Sequence, residues 1–246
     1  MNKLTIKAKK NERVYKKGDT IELNIEPGVN YIVGPNGCGK STILHAIRAY
    51  KDSIYESMSS TDRVEIARNH DLQLYQNVFD VNGLDIYSNV FCLDAHVDNP
   101  FSFMNAGSAT SFIHGGGMTY NRISRGEGSK MMLSKFISDM QNLMKVDPKD
   151  KTTWPSGDNR SLIIMDELDE GLDLKCQMTF HRMLSNISKV FNADVICVCH
   201  NPICILADTI SNVYDMGTRE YKSIYTYIKE QTGKQIIIKD ITNDKD

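Results

Sequence analysis

Apolar residues follow two rhythms along this chain. Residues 4–8 alternate weakly and residues 20–25 alternate clearly, which suits half-buried antiparallel strands. Continuous apolar runs of strand length come next, at residues 29–33, 90–93, 162–165, 195–199 and 213–216, with a late one at 236–238. Between them the spacing turns helical. Ile43, Leu44 and Ile47 start one helix that runs to about residue 50. Met131, Met132, Leu133, Phe136, Ile137, Met140, Leu143 and Met144 mark a second, and Leu174, Met178, Leu184 and Ile187 a third, which Asp173 caps. Residues 53–79 mix polar and apolar positions and read as one or two helices carrying Ile54, Met58, Leu74 and Val78. Residues 99–119, with Gly107 and Gly115-Gly116-Gly117, read as a loop. Buried strands alternating with helices describe an α/β chain, preceded by an antiparallel pair.

Composition narrows this picture. At 246 residues one domain with a smaller subdomain is expected. Lys and Arg number 29 and Asp and Glu 31, so no global basic field advertises nucleic acid. The first 20 residues differ: Lys3, Lys7, Lys9, Lys10, Arg13, Lys16 and Lys17 face Glu12 and Asp19. They describe a solvated edge hairpin or a contact surface for a polyanion. The six cysteines include no C-x2-C pair, and Cys197 and Cys199 are expected on opposite faces of a strand. Reduced cysteines, no leader-like amino-terminal segment and no run of about 18 apolar residues give the expectation of a cytoplasmic chain without a membrane span.

Candidate chemistry centres on GPNGCGKST, residues 34–42. It fits the phosphate-loop pattern G-x-x-x-x-G-K-[ST], and it lies where the pattern requires, between a strand and a helix start. Asn36, Gly37, Cys38, Gly39, Lys40, Ser41 and Thr42 are therefore the expected nucleotide contacts. Lys40 reaches the β- and γ-phosphates and Ser41 holds Mg2+. Asp166, after four apolar residues, is the expected second Mg2+ residue, and Glu167 the group that orients or deprotonates the attacking water. The rival reading of this acidic stretch is a solvated helix entry. His200 ends another buried run and is either a γ-phosphate contact or a structural histidine. Asp94 and His96 form only two ligands and read as a polar strand end near the γ-phosphate.

Taken together, these motifs resemble the ABC superfamily of ATPases. The likeness is closer to the RecF, SMC and SbcC-like branch and to small stand-alone AAA-type ATP-binding proteins than to transporter subunits. The phosphate loop matches in full. The signature, LSGGQ or LSGGE in the family, matches residues 123–127, with Arg125 in place of the first glycine; the acidic strand end matches residues 162–167. Glu170-Gly171-Leu172-Asp173 matches the D-loop, and His200 the switch histidine.

The resemblance implies a single domain over residues 1–246. A mostly parallel central sheet carries flanking helices, an antiparallel amino-terminal subsheet and, at about 95–150, a small helical subdomain bearing the signature. It also implies ATP and Mg2+ as ligands, with Lys40, Glu167 and His200 catalytic. The implied assembly is a head-to-tail homodimer in which Ser124 and Gly126 of one copy cover the γ-phosphate held by Lys40 of the other, and Glu127 and Asp173 are further expected nucleotide contacts. DNA and a nuclease or other effector subunit are the partners it suggests. A transporter subunit and a non-hydrolysing ATP-dependent binding module are the alternatives. No glutamine stands at an evident lid-coupling position, where Asp94 or His96 follows the strand. Tyr15 and Arg13 are the candidates to contact adenine. The segments between Lys40, Ser124 and Asp166 are too short for SMC-like coiled-coil arms.

Overall fold

The structure, a computed structural model, describes residues 2–50, 74–94, 125–155, 157, 160–168, 172–199, 201–207 and 212–233. Two strands open it, β1 (Asn2–Ala8) and β2 (Thr20–Ile25). They pair antiparallel with Leu4 opposite Leu23 and Ile6 opposite Ile21, so that alternation buries one face of the ribbon. β3 (Val29–Val33) leads through the phosphate loop into α1 (Lys40–Tyr50). β4 (Phe79–Asn82) then joins the other edge of β1, also antiparallel. The helical reading of 53–79 therefore ends one residue too late. Residues 74–78 are helical, but Phe79 already pairs with Ala8, and a four-residue strand holds too few alternations to show in sequence.

Next come β5 (Tyr87–Asp94), α2 (Arg125–Met144), β6 (Arg160–Asp166), α3 (Leu174–Val190) and β7 (Ala193–Val198). β8 (Asn212–Asp215), β9 (Glu220–Ser223) and α4 (Ile224–Thr232) close the described chain. The main sheet runs β5-β6-β7-β3-β8-β9. Its first five strands are parallel, and β9 folds back antiparallel on β8. This is the expected α/β architecture, a mostly parallel sheet with an antiparallel subsheet.

Parallel strands buried on both faces need unbroken apolar runs, and residues 162–165 and 195–198 show why. Leu162, Ile164, Ile196 and Val198 join a core with α1 and the antiparallel subsheet. Ile163, Met165, Val195 and Cys197 join a second core with α2, α3 and α4, whose Phe136, Leu184 and Ile228 are at most 1% exposed. Cys199 lies in that same second core as Cys197, which corrects the expectation of opposite faces: positions i and i+2 of a strand share a face. None of the six cysteines is in a disulfide. The expected helix at 131–144 begins earlier, at Arg125, so Gly126 and Glu127 lie in its first turn. The strand candidate at 236–238 and residues 95–124, most of the expected signature subdomain, lie outside the described residues.

Candidate functional site

The carboxyl ends of the parallel strands build the site, as open α/β sheets generally arrange. The phosphate loop leaves β3 and turns into α1, and a cleft of about 370 Å³ opens against it. Arg13, Asn36, Gly37, Gly39, Lys40, Ser41, Thr42 and Glu167 line this cleft. A larger cavity of about 850 Å³ includes Gly28, Arg160 and Asn192, at the amino ends of the same strands. It is far from any of the phosphate-loop chemistry, so the smaller cleft is the candidate site.

Lys40 is only 5% exposed. Its Nζ donates to the carbonyls of Gly34 at 3.0 Å and Pro35 at 3.2 Å, which folds the ammonium over its own loop. Phosphate oxygens would compete for the same donor. Cys38 points inward against the first core, and its N–H donates to the Pro35 carbonyl at 3.3 Å. Burial raises its thiol pKa, so it stands in the loop as a small apolar residue.

Tyr15 explains how the loop is held. It is 2% exposed, and its hydroxyl donates to the Gly39 carbonyl at 2.8 Å. Its ring meets Phe79 edge-on at 5.6 Å between centroids. Burial lifts its phenol far above the ordinary range. A ring locked beneath the loop cannot stack on a base, which removes Tyr15 as an adenine contact. Arg13, at the rim of the cleft with 64% of its side chain exposed, keeps that possibility.

The acidic pair stands opposite the loop. Asp166, the last residue of β6, is 3% exposed. Burial and the neighbouring Asp94 raise its pKa to about 6, against a hydrogen bond from Ser41 that lowers it. Its Oδ1 is buried without a hydrogen-bond partner. A buried carboxylate hydrogen-bonded to the Ser41 hydroxyl fits a divalent cation on that side. Glu167 follows at φ 56°, a left-handed conformation that costs a non-glycine residue about 1–2 kcal/mol and turns the chain so that Glu167 lines the cleft. The solvated-entry reading does not describe these two residues, one buried and one facing the cleft.

Some expected residues are not brought to this cleft. Asp173 caps α3, its carboxylate accepting from the Cys176 N–H at 2.8 Å. Ser124, His96 and His200 lie outside the described residues, as does the side chain of Glu127. One neighbour escaped sequence reasoning. His45 of α1 places Nε2 2.8 Å from Asp94 Oδ2. Its signal was a polar residue among Ile43, Leu44, Ala46 and Ile47, all of them buried.

A family model described as an AAA domain matches residues 9–188, most of the chain. The chain belongs to the AAA domain family. Its fold and motifs agree with the ABC-type ATPase resemblance. The zinc import ATP-binding protein ZnuC of Vibrio parahaemolyticus is 24% identical over 199 residues, covering 78% of this AAA domain chain and 64% of that protein. The chromosome partition protein Smc of Rhodopseudomonas palustris is 45% identical over 42 residues, 17% of this chain and 4% of that one. This chain therefore spans less than two thirds of either curated relative. The SMC head domain from Thermotoga maritima superposes with a TM-score of 0.44 at 16% identity, over 86% of this chain and 93% of that one. Among the described residues no helix is long and apolar enough to cross a membrane.

Proposed function

We propose that this chain, as one ABC-type ATPase domain, binds and hydrolyses ATP, and that ATP closes two copies head to tail. The observation that carries this reading is the convergence of Lys40 and Glu167 on one cleft, with buried Asp166 behind Ser41. Backbone N–H groups where the loop enters α1 would donate to the phosphate oxygens. Lys40 exchanges its carbonyl partners for phosphate oxygens. Ser41 and Asp166 would hold Mg2+, which would supply charge neutralisation at the phosphates. Glu167 accepts the proton of the attacking water, and His200 contacts the γ-phosphate. Ser124 and Gly126 cover the γ-phosphate held by Lys40 of the opposing copy, and Glu127 and Asp173 are further nucleotide contacts. The setting is cytoplasmic and the work is DNA repair, replication or defence beside an effector such as a nuclease, in keeping with the signature glutamate and the basic first 20 residues.

The zinc import relative supports a second reading, the nucleotide-binding subunit of a transporter. Co-purification with a multi-span membrane protein favours that reading; ATP-dependent binding to DNA that weakens steeply with salt favours the first.

Glu167→Gln tests the enzyme assignment. Phosphate release is expected to fall on the order of 10²-fold or more, with ATP still bound. Rates equally near background in the parent and the variant would leave a binding module that does not turn ATP over.

A further inference from the structure

We propose that His45, Asp94 and Asp166 form a site for a transition-metal dication such as Mn2+ or Zn2+, filled without nucleotide. One ring nitrogen and one oxygen from each carboxylate lie within 4.8 Å of one another. Three elements deliver them: His45 sits on α1, while Asp94 and Asp166 are register partners at the ends of β5 and β6. The two aspartates are 4% and 3% exposed, and Asp166 Oδ1 has no hydrogen-bond partner. Adjacent buried carboxylates with an unsatisfied oxygen are costly unless positive charge meets them.

A cavity of about 10 Å³ lined by these three residues leaves space for one ion or water. An ion about 2.1 Å from each donor in tetrahedral geometry holds the donors about 3.4 Å apart, so a pair at the 4.8 Å limit closes by about 1.4 Å when the ion binds. Imidazole beside carboxylates suits Mn2+ or Zn2+, whereas Mg2+ keeps to oxygen ligands and water. The far side of the ring is already provided for. His45 Nδ1 lies 3.3 Å from the Tyr75 hydroxyl. Once Nε2 leaves Asp94 for the metal, Nδ1–H donates to that oxygen and fixes the tautomer, the usual outer bond of a metal-bound histidine. Mg2+ arriving with ATP meets Asp166 from the Ser41 side, so the two ions share one carboxylate. Arg48 also lines the cavity. Charge supplied by Arg48 or an imidazolium in place of a metal is the rival outcome.

The test needs no nucleotide, so it is independent of the ATPase reading. Metal-stripped full-length protein is titrated with Mn2+, following the free-ion paramagnetic resonance signal, and echo spectra are read for ¹⁴N coupling from imidazole. One Mn2+ per chain is expected, with ¹⁴N coupling and displacement by Zn2+. His45→Gln and Asp94→Asn, checked for folding by circular dichroism, should each weaken binding by roughly 10- to 100-fold. If either variant fails to fold, the ¹⁴N coupling of the parent protein decides alone. Absence of Mn2+ and Zn2+ binding at millimolar concentration overturns the proposal. So does Mn2+ bound without ¹⁴N coupling and held equally by His45→Gln.

Discussion

Gly39→Ala should damage this protein more than Gly37→Ala, although both lie in the phosphate loop at positive φ, +96° and +79°. The backbone term is similar at the two sites, about 1–3 kcal/mol for an L-residue in a sparsely populated conformation. What differs is space. A Cβ on Gly37 meets nothing within 4 Å, whereas one on Gly39 falls 2.4 Å from the Tyr15 hydroxyl and 2.7 Å from its ring. Tyr15 cannot swing aside, being 2% exposed, packed on Phe79 and bonded to the Gly39 carbonyl. Overpacking of this kind costs about 1–3 kcal/mol. Thermal unfolding without nucleotide isolates it, because ligand contacts are then absent from both variants. For a chain of this size each kcal/mol moves Tm by about 2–4 °C. Gly39→Ala should therefore melt several degrees below Gly37→Ala. Equal melting temperatures would refute the argument that Tyr15 is the rigid floor of the loop.

Two other substitutions probe the site's supports. Asp215 is buried, which alone would raise its pKa, yet Lys222, the Gly217 N–H and Thr218 hold it below the ordinary carboxylate range. A depressed pKa means stability that is present above the unfolded value and lost as pH falls through the folded one. Asp215→Asn should cost about 3 kcal/mol at pH 7, and in denaturant titrations that cost should shrink as pH drops below the reference value of 3.8. Glu167 separates stability from chemistry: Glu167→Gly relieves the left-handed strain and should unfold about 1 kcal/mol later than Glu167→Ala, which keeps a Cβ. Neither variant should hydrolyse ATP, and phosphate release reads that loss.

The residues readable in sequence were those whose neighbours along the chain define their role. The loop at residues 34–42 announces itself because glycines, lysine and serine must be consecutive to wrap a phosphate. Asp166 was legible because strands buried on both faces leave a long apolar run with the acid at its end. β4 was not, since four residues, Phe79 to Asn82, pair with β1 only through tertiary contact. β9 and α4 went unread for a related reason: Glu220 to Ser223 is mostly polar and earns its place by pairing with β8. The site's floor stayed open in sequence, because Tyr15 is aromatic, near the loop and equally suited to stack on a base or pack beneath a glycine. Its burial decides between those, and burial is a property of the fold. His45 was invisible as a site residue because its partners, Asp94 and Asp166, are 49 and 121 positions away on other elements.

The central claim is that hydrolysis needs two copies, with Lys40, Ser41, Asp166 and Glu167 of one meeting Ser124 of the other. Mixing a Lys40→Ala chain with a Ser124→Arg chain, each inactive alone, tests it most directly. In a mixed dimer Lys40 of the second chain and Ser124 of the first rebuild one intact site, while the other site carries both lesions. The account predicts that phosphate release returns on mixing, reaching part of the parental rate, with a dimer visible by light scattering in ATP. A mixture as inactive as its parts, beside a parental protein that stays monomeric and hydrolyses ATP at a rate linear in its concentration, would contradict it.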